Sequence, residues 1–492
     1  MVRYEKHVKE GFMNETSFPG AQWANRFEDL EDETKQVTGM LSFDGNGPLH
    51  LDIPIGVLMD WPREPIEGGY VQFHAAVGLQ QDQVFGYSQK GDYCVLRDVS
   101  SPGPSMAAPG YKCQSLYAQS MLVSKQPIDP NPIVASISLK LPGLREWVGR
   151  VPFDASMTFE ESELKSIDFH FSSDSLSKVV LFDTDAIRVS IDFTGTKKGS
   201  PLPAYSFEFE SDCQLSFDFP ESNISLDDAL DQWVFRTVDF LAFCMGFRYS
   251  ITEIDFNTID GIKGRYYAPL LGVHGTPGSG QIQRMPFPLS SIEDTHILLG
   301  NWFTFEPYAR NASKLLVSLM YDWKMPLDTV FLISAQAFEA ASRIGVDDRE
   351  LDDEQFEKKL NEIKESNLSS KTRKWVLYKL KNAKWKTANQ LVDGLFERLK
   401  PVVAYVVPDV EKFKREHREH RDSFTHRRDI DERVKLTNED LYWHTGAVRV
   451  LAYAAIASAL GISPEASLKR LQESSFCGTE IMHSRRLYVS AT

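Results

Sequence analysis

The chain has 492 residues, of which 42% are hydrophobic and 12% aromatic, with 54 Lys and Arg against 69 Asp and Glu for a formal net charge of -15. That length exceeds one ordinary core and that composition excludes a disordered chain, so two or three folded domains are expected. The acidic balance excludes a global basic field of the kind that holds nucleic acid by counterion release, which leaves only a local basic patch for such a role.

The five cysteines (Cys94, Cys113, Cys213, Cys244 and Cys477) are scattered and form no CxxC pair, so reduced, buried thiols of a cytoplasmic protein are expected. The first 20 residues are charged and have no apolar core of the kind a signal peptide carries. The most apolar stretch, residues 233 to 247, is interrupted by Arg236 and Asp239 and is shorter than the roughly 20 residues a membrane span needs. No membrane association is expected.

From about residue 37 to 220 the sequence is a succession of short alternating or β-branched runs, such as VTGMLSF, PIVASISLKL, KVVLFDT and CQLSFDFP, separated by Gly, Pro, Asp and Ser clusters. This pattern predicts a large antiparallel sheet system, a sandwich or an open barrel. One helix interrupts it. Ser225 followed by Asp228 makes a capping start, Leu226, Leu230, Trp233, Val234, Thr237, Leu241 and Cys244 share one face, and Gly246 is placed to stop it. That helix is expected to plug or cover the sheet. Two more strand-like runs follow, RYSITEIDF and GRYYAPLLG.

Residues 272 to 288 are rich in Gly and Pro and poor in charge, the pattern of a linker. No GK[ST] follows these glycines, so a phosphate loop is excluded. After it the apolar period changes to that of helices, which predicts an all-α bundle of antiparallel helices. The expected fold class is therefore α+β multidomain: a β-rich domain over 1–286 and an α-helical domain over 287–492.

Residues 411 to 429, EKFKREHREHRDSFTHRRD, concentrate the chemistry. Four of the chain's 11 histidines (His417, His420, His426 and His444) fall in or just after this stretch. Val410, Phe413 and Phe424 recur at helical spacing with His417 and His420 near the same face, a narrow stripe suited to packing. Arg415, Asp422 and His426 lie opposite, with Arg418 close by. Two readings are open. Glu416, Glu419 and Asp422 alternating with arginines make a salt-bridged exposed face. Alternatively, an imidazole four residues from a carboxylate and beside several guanidiniums suits phosphodiester cleavage. His426 would move protons, Asp422 would hold its tautomer, and an arginine would neutralise charge growing on phosphorus.

Arg421-Asp422-Ser423-Phe424-Thr425-His426 resembles the Arg-polar-x-x-x-His signature of HEPN-domain ribonucleases, and a long β-rich region followed by a helical bundle resembles the ApeA family of bacterial anti-phage, abortive-infection proteins. The resemblance implies a metal-independent endoribonuclease without cofactors, active as a homodimer in which two motifs face each other. It would cleave RNA, tRNA being a candidate target, when a phage-derived trigger is sensed at the N-terminal domain. A second match runs from Arg415 to His420. The later one is preferred because Asp422 follows Arg421 as the family pattern favours, and because His420 lies toward the apolar stripe.

No CxxC, HExxH or paired-carboxylate cluster offers a metal site, so the RNA's own 2'-hydroxyl is the expected nucleophile, with His426 of one protomer as base, its counterpart as acid and Arg421 on the phosphate oxygens. Arg415, Arg418 and Arg427 are candidate RNA contacts, although Arg427 and Arg428 also simply complement a helix dipole. His444 shares a face with Leu441, Val448, Leu451 and Ala455 and reads as a core histidine. Glu339, a lone acid on a largely apolar helix, calls for an internal partner. The competing readings are a non-catalytic HEPN-like dimerisation or ligand-binding protein with a β-rich recognition module, and, more weakly, a carbohydrate-binding protein.

Overall fold

The structure is a computed structural model that describes residues 16–489 except 44–46, 61–62, 67–69, 74–77, 89, 108–109, 151–152, 161–162, 172–176, 199–207, 222, 248–250, 271–284, 321–324, 381–382, 427–434 and 476. The chain divides into two compact units, Met1–Arg236 with Tyr249–Thr276, and Thr237–Arg248 with Pro277–Thr492. Most of the linker expected at 272 to 288 lies outside the described residues.

The β-rich unit is built on a closed barrel. The strands Thr16–Ala24, Val37–Phe43, Leu49–Ile53, Leu79–Tyr87, Tyr93–Ser101 and Tyr111–Ser124 form it, and closure comes from the last pairing with both Leu49–Ile53 and Tyr93–Ser101. All pairs are antiparallel, with Leu51 opposite Leu116 and Val95 opposite Leu122. Alternation along the strands places Leu49, Leu51 and Ile53 inside with Leu41, Phe43, Trp23 and Met121, and a barrel of this size is filled by such side chains. Closure also removes the free edges that an open sheet would have to protect. The sequence pattern left sandwich and open barrel undecided because both demand the same period of two.

The strand Tyr111–Ser124 is 14 residues long, long enough to leave the barrel and pair with Lys263–Leu270. The sheet then continues through Ile251–Thr258, Val134–Leu139, Glu208–Asp218, Arg188–Lys198 and Val179–Asp183. At one point in the barrel only glycine fits, since a Cβ on Gly86 would sit 2.4 Å from the Trp23 ring. Gln114, buried in this unit, is fully engaged. Its Oε1 accepts from the N–H groups of Leu58 (2.9 Å) and Met59 (3.1 Å), and its Nε2 donates to the carbonyl of Met59 (2.6 Å) and to Ser101 Oγ (3.2 Å).

A short helix, α1 (Leu144–Val148), joins two strands. The helix expected at 225 to 246 is present as α2 (Leu226–Ala229), a π-helical turn at Leu230–Val234 and α3 (Phe235–Met245). Ser225 Oγ accepts from the Asp228 N–H (3.2 Å), and Gly246 ends it at φ +73°. Thr237–Arg248 belongs to the helical unit, where Phe243 stacks on Phe287 and Tyr453, and Phe240 meets Trp302 edge-on. Those partners are distant in sequence, so local periodicity could not reveal them.

The helical unit continues with α4 (Thr295–Phe303), α5 (Pro307–Ser318), α6 (Leu327–Ser342), α7 (Asp353–Glu365), α8 (Ser370–Lys379), α9 (Ala388–Arg398), α10 (Lys400–Val406), α11 (Val410–His426), α12 (Asn438–Ala459), α13 (Pro464–Glu473) and α14 (Gly478–Tyr488). The central element is α12. From Thr445 to Val448 and from Val450 to Ala457 every residue is buried, as a helix surrounded by others requires. α6 and α14 pack against it. Among the described residues no helix is long and apolar enough to cross a membrane.

Candidate active site

Three helices position the charged stretch. α6 follows Pro326, which has no N–H to lose at a helix start, and presents Phe331, Ser334, Ala335 and Phe338 at spacings of three and four. Glu339, half-buried, follows Phe338 on the flank of that stripe. α11 is capped by Asp409, whose carboxylate accepts from the Lys412 N–H (3.0 Å). Val410, Phe413, His417, His420 and Phe424 then recur at intervals of 3, 4, 3 and 4, which is the seam of a helix laid on neighbours. Phe413, His417 and His420 are buried, and Phe424 packs with Leu327 and Leu436 against Phe331, Ala335 and Leu441.

The buried side of α11 carries polar groups that are neutral or internally paired. Phe413 stacks on His417, and His444 of α12 lies 5.1 Å from the Phe413 ring centre. His420 Nε2 accepts from the Leu436 N–H (3.2 Å), so its proton sits on Nδ1 and is donated to the Glu416 carbonyl (2.9 Å). Burial lowers the pKa values of all three imidazoles: His417 to about 3, His420 below its ordinary value and His444 well below it. The Arg415-to-His420 match therefore offers no proton carrier, because both nitrogens of its imidazole are committed to backbone groups.

Glu416 corrects the reading of α11 as a uniformly exposed salt-bridged face. It is only 4% exposed, and its Oε2 accepts from the Tyr488 hydroxyl (3.0 Å). That hydroxyl has given its one proton, so its oxygen accepts from His444 Nδ1–H at 2.5 Å. Burial raises the Glu416 pKa, with Tyr488 and Lys412 acting against that rise. Tyr488→Phe strips the carboxylate and the imidazole of a shared partner in a dry site, and a loss of about 1–3 kcal/mol of stability is expected by urea denaturation. A variant as stable as the parent would show that the chain Glu416–Tyr488–His444 contributes nothing to the fold.

The outer side is different. Arg421 Nη1 donates to Glu339 Oε1 at 2.5 Å, while its Nε (3.1 Å) and Nη2 (2.7 Å) both donate to Asp422 Oδ1. Burial on its own would depress the guanidinium pKa; the bonds to Glu339 and Asp422 outweigh it and hold that pKa above its ordinary value. Among the described residues three of the five N–H donors of this arginine are thus engaged, and two remain for an incoming anion. The internal partner that Glu339 calls for is Arg421.

A groove opens beside this arginine, lined by Glu339, Asn389, Lys414, His417, Arg418 and Arg421 together with Phe338 and Phe413. Of the residues singled out in the sequence, Arg421 and Arg418 line it, and Asp422 is bonded to Arg421. Arg415 is exposed on the same helix. His426 ends α11 but its side chain lies outside the described residues, as does all of Arg427. Among the described residues no group of three or more His, Cys, Asp or Glu side chains is arranged to hold a metal ion. Glu339 and Asn389 were not anticipated as site residues. Only a lone acid on an apolar helix hinted at the first, and nothing in the sequence marked the second.

Residues 22–302 match the family model described as ApeA N-terminal domain 1. The chain belongs to the ApeA family. Residues 332–466 match a second model, Apea-like HEPN, in the same N- to C-terminal order as the β-rich and helical regions. This HEPN match spans α6 to α12 and so contains Glu339, Asp422 and the whole Arg421-to-His426 motif. No curated protein matches the chain. No solved structure matches it.

Proposed function

We propose that this ApeA-family protein is an endoribonuclease of anti-phage defence, acting in the cytoplasm as a homodimer whose helical domain, residues 287–492, cuts RNA and whose β-rich domain, residues 1–286, restrains it until a phage-derived trigger is sensed. The observation that carries the reading is the arginine of the HEPN motif, fixed between Glu339 and Asp422 with donors to spare beside an open groove. HEPN domains are generally ribonucleases that pair and bind RNA, which supports the same reading. The match to ApeA models over both regions supports the role in defence.

The reaction requires no metal-bound water. His426 of one protomer takes the proton of a ribose 2'-hydroxyl as that oxygen bonds to phosphorus. The equivalent histidine of the second protomer protonates the 5'-oxygen as its bond to phosphorus breaks. Arg421 neutralises the charge that grows on the non-bridging oxygens, and a planar fork already held in place by carboxylates needs little reorganisation to do so. The products are a 2',3'-cyclic phosphate and a 5'-hydroxyl.

Incubating the purified protein with total tRNA in EDTA, with and without an extract of phage-infected cells to supply the trigger, and mapping the ends tests this directly. The expected result is cleavage that EDTA leaves intact, with those two end groups. Cleavage that stops on chelation, or ends bearing a 5'-phosphate, would overturn the mechanism.

A further inference from the structure

Between α6 and α9 the chain makes an excursion that the helical core does not require. α7 and α8 pack on each other, and neither buries a single residue. The base of this hairpin is closed by main chain: Glu350 N–H donates to the Lys384 carbonyl (2.8 Å), Lys386 N–H donates to the Asp348 carbonyl (2.7 Å), and Arg349 bridges Trp385. The two helices it springs from are those that bring Glu339 and Asn389 to the groove beside Arg421. Trp385 stands three residues before Ala388, which lines that groove.

The segment from Ser366 to Lys386 carries Lys371, Arg373, Lys374, Lys379, Lys381, Lys384 and Lys386 and no Asp or Glu, in a chain whose net charge is -15. Arg373 is structural, since its Nη2 donates to the carbonyls of Ser366 (2.8 Å) and Leu368 (3.1 Å). Val376, Leu377 and Leu380 are half-buried. The outer face of α8 presents Lys371, Lys374, Trp375 and Tyr378, at positions i, i+3, i+4 and i+7. Trp375 is 61% and Tyr378 73% exposed. Among the described residues Lys371 and Lys374 form no ion pair.

The composition of this face selects its partner. A helix lying on a membrane separates its aromatics and its cations onto opposite faces, whereas here they share one. An acidic protein surface would be met by the lysines but gives no reason to expose two large rings. A polymer that offers phosphates and flat bases in alternation matches both kinds of side chain at once. Duplex RNA hides its bases, so unpaired nucleotides are the fit.

We infer that the α7–α8 hairpin is a docking arm for single-stranded or unpaired RNA, with Lys371 and Lys374 on phosphates and Trp375 and Tyr378 as platforms for bases. A strand seated in the groove past Asn389 would run onto the arm by way of its base. The inference rests on the ribonuclease reading for the identity of the polymer, and goes beyond it by assigning a binding surface outside the Arg421–His426 motif.

The test uses the full-length chain and a short fluorescein-labelled 2'-O-methyl oligouridine, which cannot be cut through its 2'-oxygen. Binding is followed by fluorescence anisotropy over a range of salt. The double variant Trp375→Ala/Tyr378→Ala is expected to bind about tenfold more weakly or worse, and Trp375→Phe/Tyr378→Phe to recover most of the loss. Lys371→Ala/Lys374→Ala is expected to reduce the slope of log affinity against log salt by about 1 to 1.5. All four side chains are exposed or unpaired, so melting curves should be unchanged.

Unaltered affinity and salt slope in both double variants would overturn the arm. So would a wild-type chain that ignores oligouridine but binds phosphatidylserine vesicles through Trp375. The two readings fail separately. Wild-type protein that binds oligouridine through Trp375 yet cuts no tRNA, even when an extract of phage-infected cells supplies the trigger, keeps the arm and sinks the ribonuclease. Protein that cuts tRNA with unchanged kcat/KM in the aromatic variant does the reverse.

Discussion

His426→Ala and Arg421→Ala are each expected to reduce RNA cleavage by about 10²–10⁴-fold while leaving the fold intact, measured as single-turnover rates on tRNA in EDTA. The two losses should not multiply. Proton transfer by His426 and charge neutralisation by Arg421 serve one transition state, so the double variant should be little worse than either single one. Arg421→Lys should fail to rescue the rate, because an ammonium cannot reproduce the fork that Glu339 and Asp422 hold.

Glu339 adds a graded test of the same site. It touches the guanidinium and no reacting atom, so it is a positioning residue. Glu339→Gln keeps an acceptor for Arg421 Nη1 and should retain most of the rate, whereas Glu339→Ala frees the side chain and should lower kcat with little change in KM. Full activity in Arg421→Ala, or rates in Glu339→Ala and Glu339→Gln that do not differ, would remove the ribonuclease site from this face of α11.

The second large effect is acid lability of the helical domain. His417, His420 and His444 are held neutral by burial, with His417 near 3 and the other two lowered. In the unfolded chain an imidazole takes up a proton near pH 6.5. Below that value the unfolded state binds protons that the folded state refuses, so stability falls as pH falls. Each imidazole contributes a slope of up to about 1.4 kcal/mol per pH unit. For His417 the window runs from about 6.5 down to about 3.

Glu416 acts in the opposite sense. Its raised pKa means the folded state holds a proton that the unfolded state has lost, which favours folding just above the ordinary carboxyl range. Three imidazoles outweigh one carboxyl, so net destabilisation between pH 6.5 and 5 is expected. Urea midpoints measured across that range should fall, and His417→Phe should flatten the curve. A stability that is level from pH 7 to 5 would show that these groups are not held neutral.

Much of this molecule was legible without coordinates. Period-two runs before residue 220 and period-3.6 runs after 291 follow from which faces must be buried, so β-rich and helical regions could be told apart from the sequence. The stripe Val410, Phe413, His417, His420, Phe424 could be read in the same way, and His444 could be placed in the core from its neighbours on α12. The Arg421-to-His426 motif is local, so its spacing was visible too. Closure of the barrel was not, because it depends on Tyr111–Ser124 finding both Leu49–Ile53 and Tyr93–Ser101.

The electrostatics were decided by tertiary structure alone. Glu416 and Glu419 look alike in the run REHREH, yet Glu416 is buried against Tyr488, 72 residues away, and Glu419 stays at the surface beside Arg418. Arg421 meets Glu339 across 82 residues. Local periodicity says which side of a helix faces inward. It cannot say which charge waits there, because a buried or half-buried ion is tolerated only when a partner from elsewhere in the chain arrives to hold it.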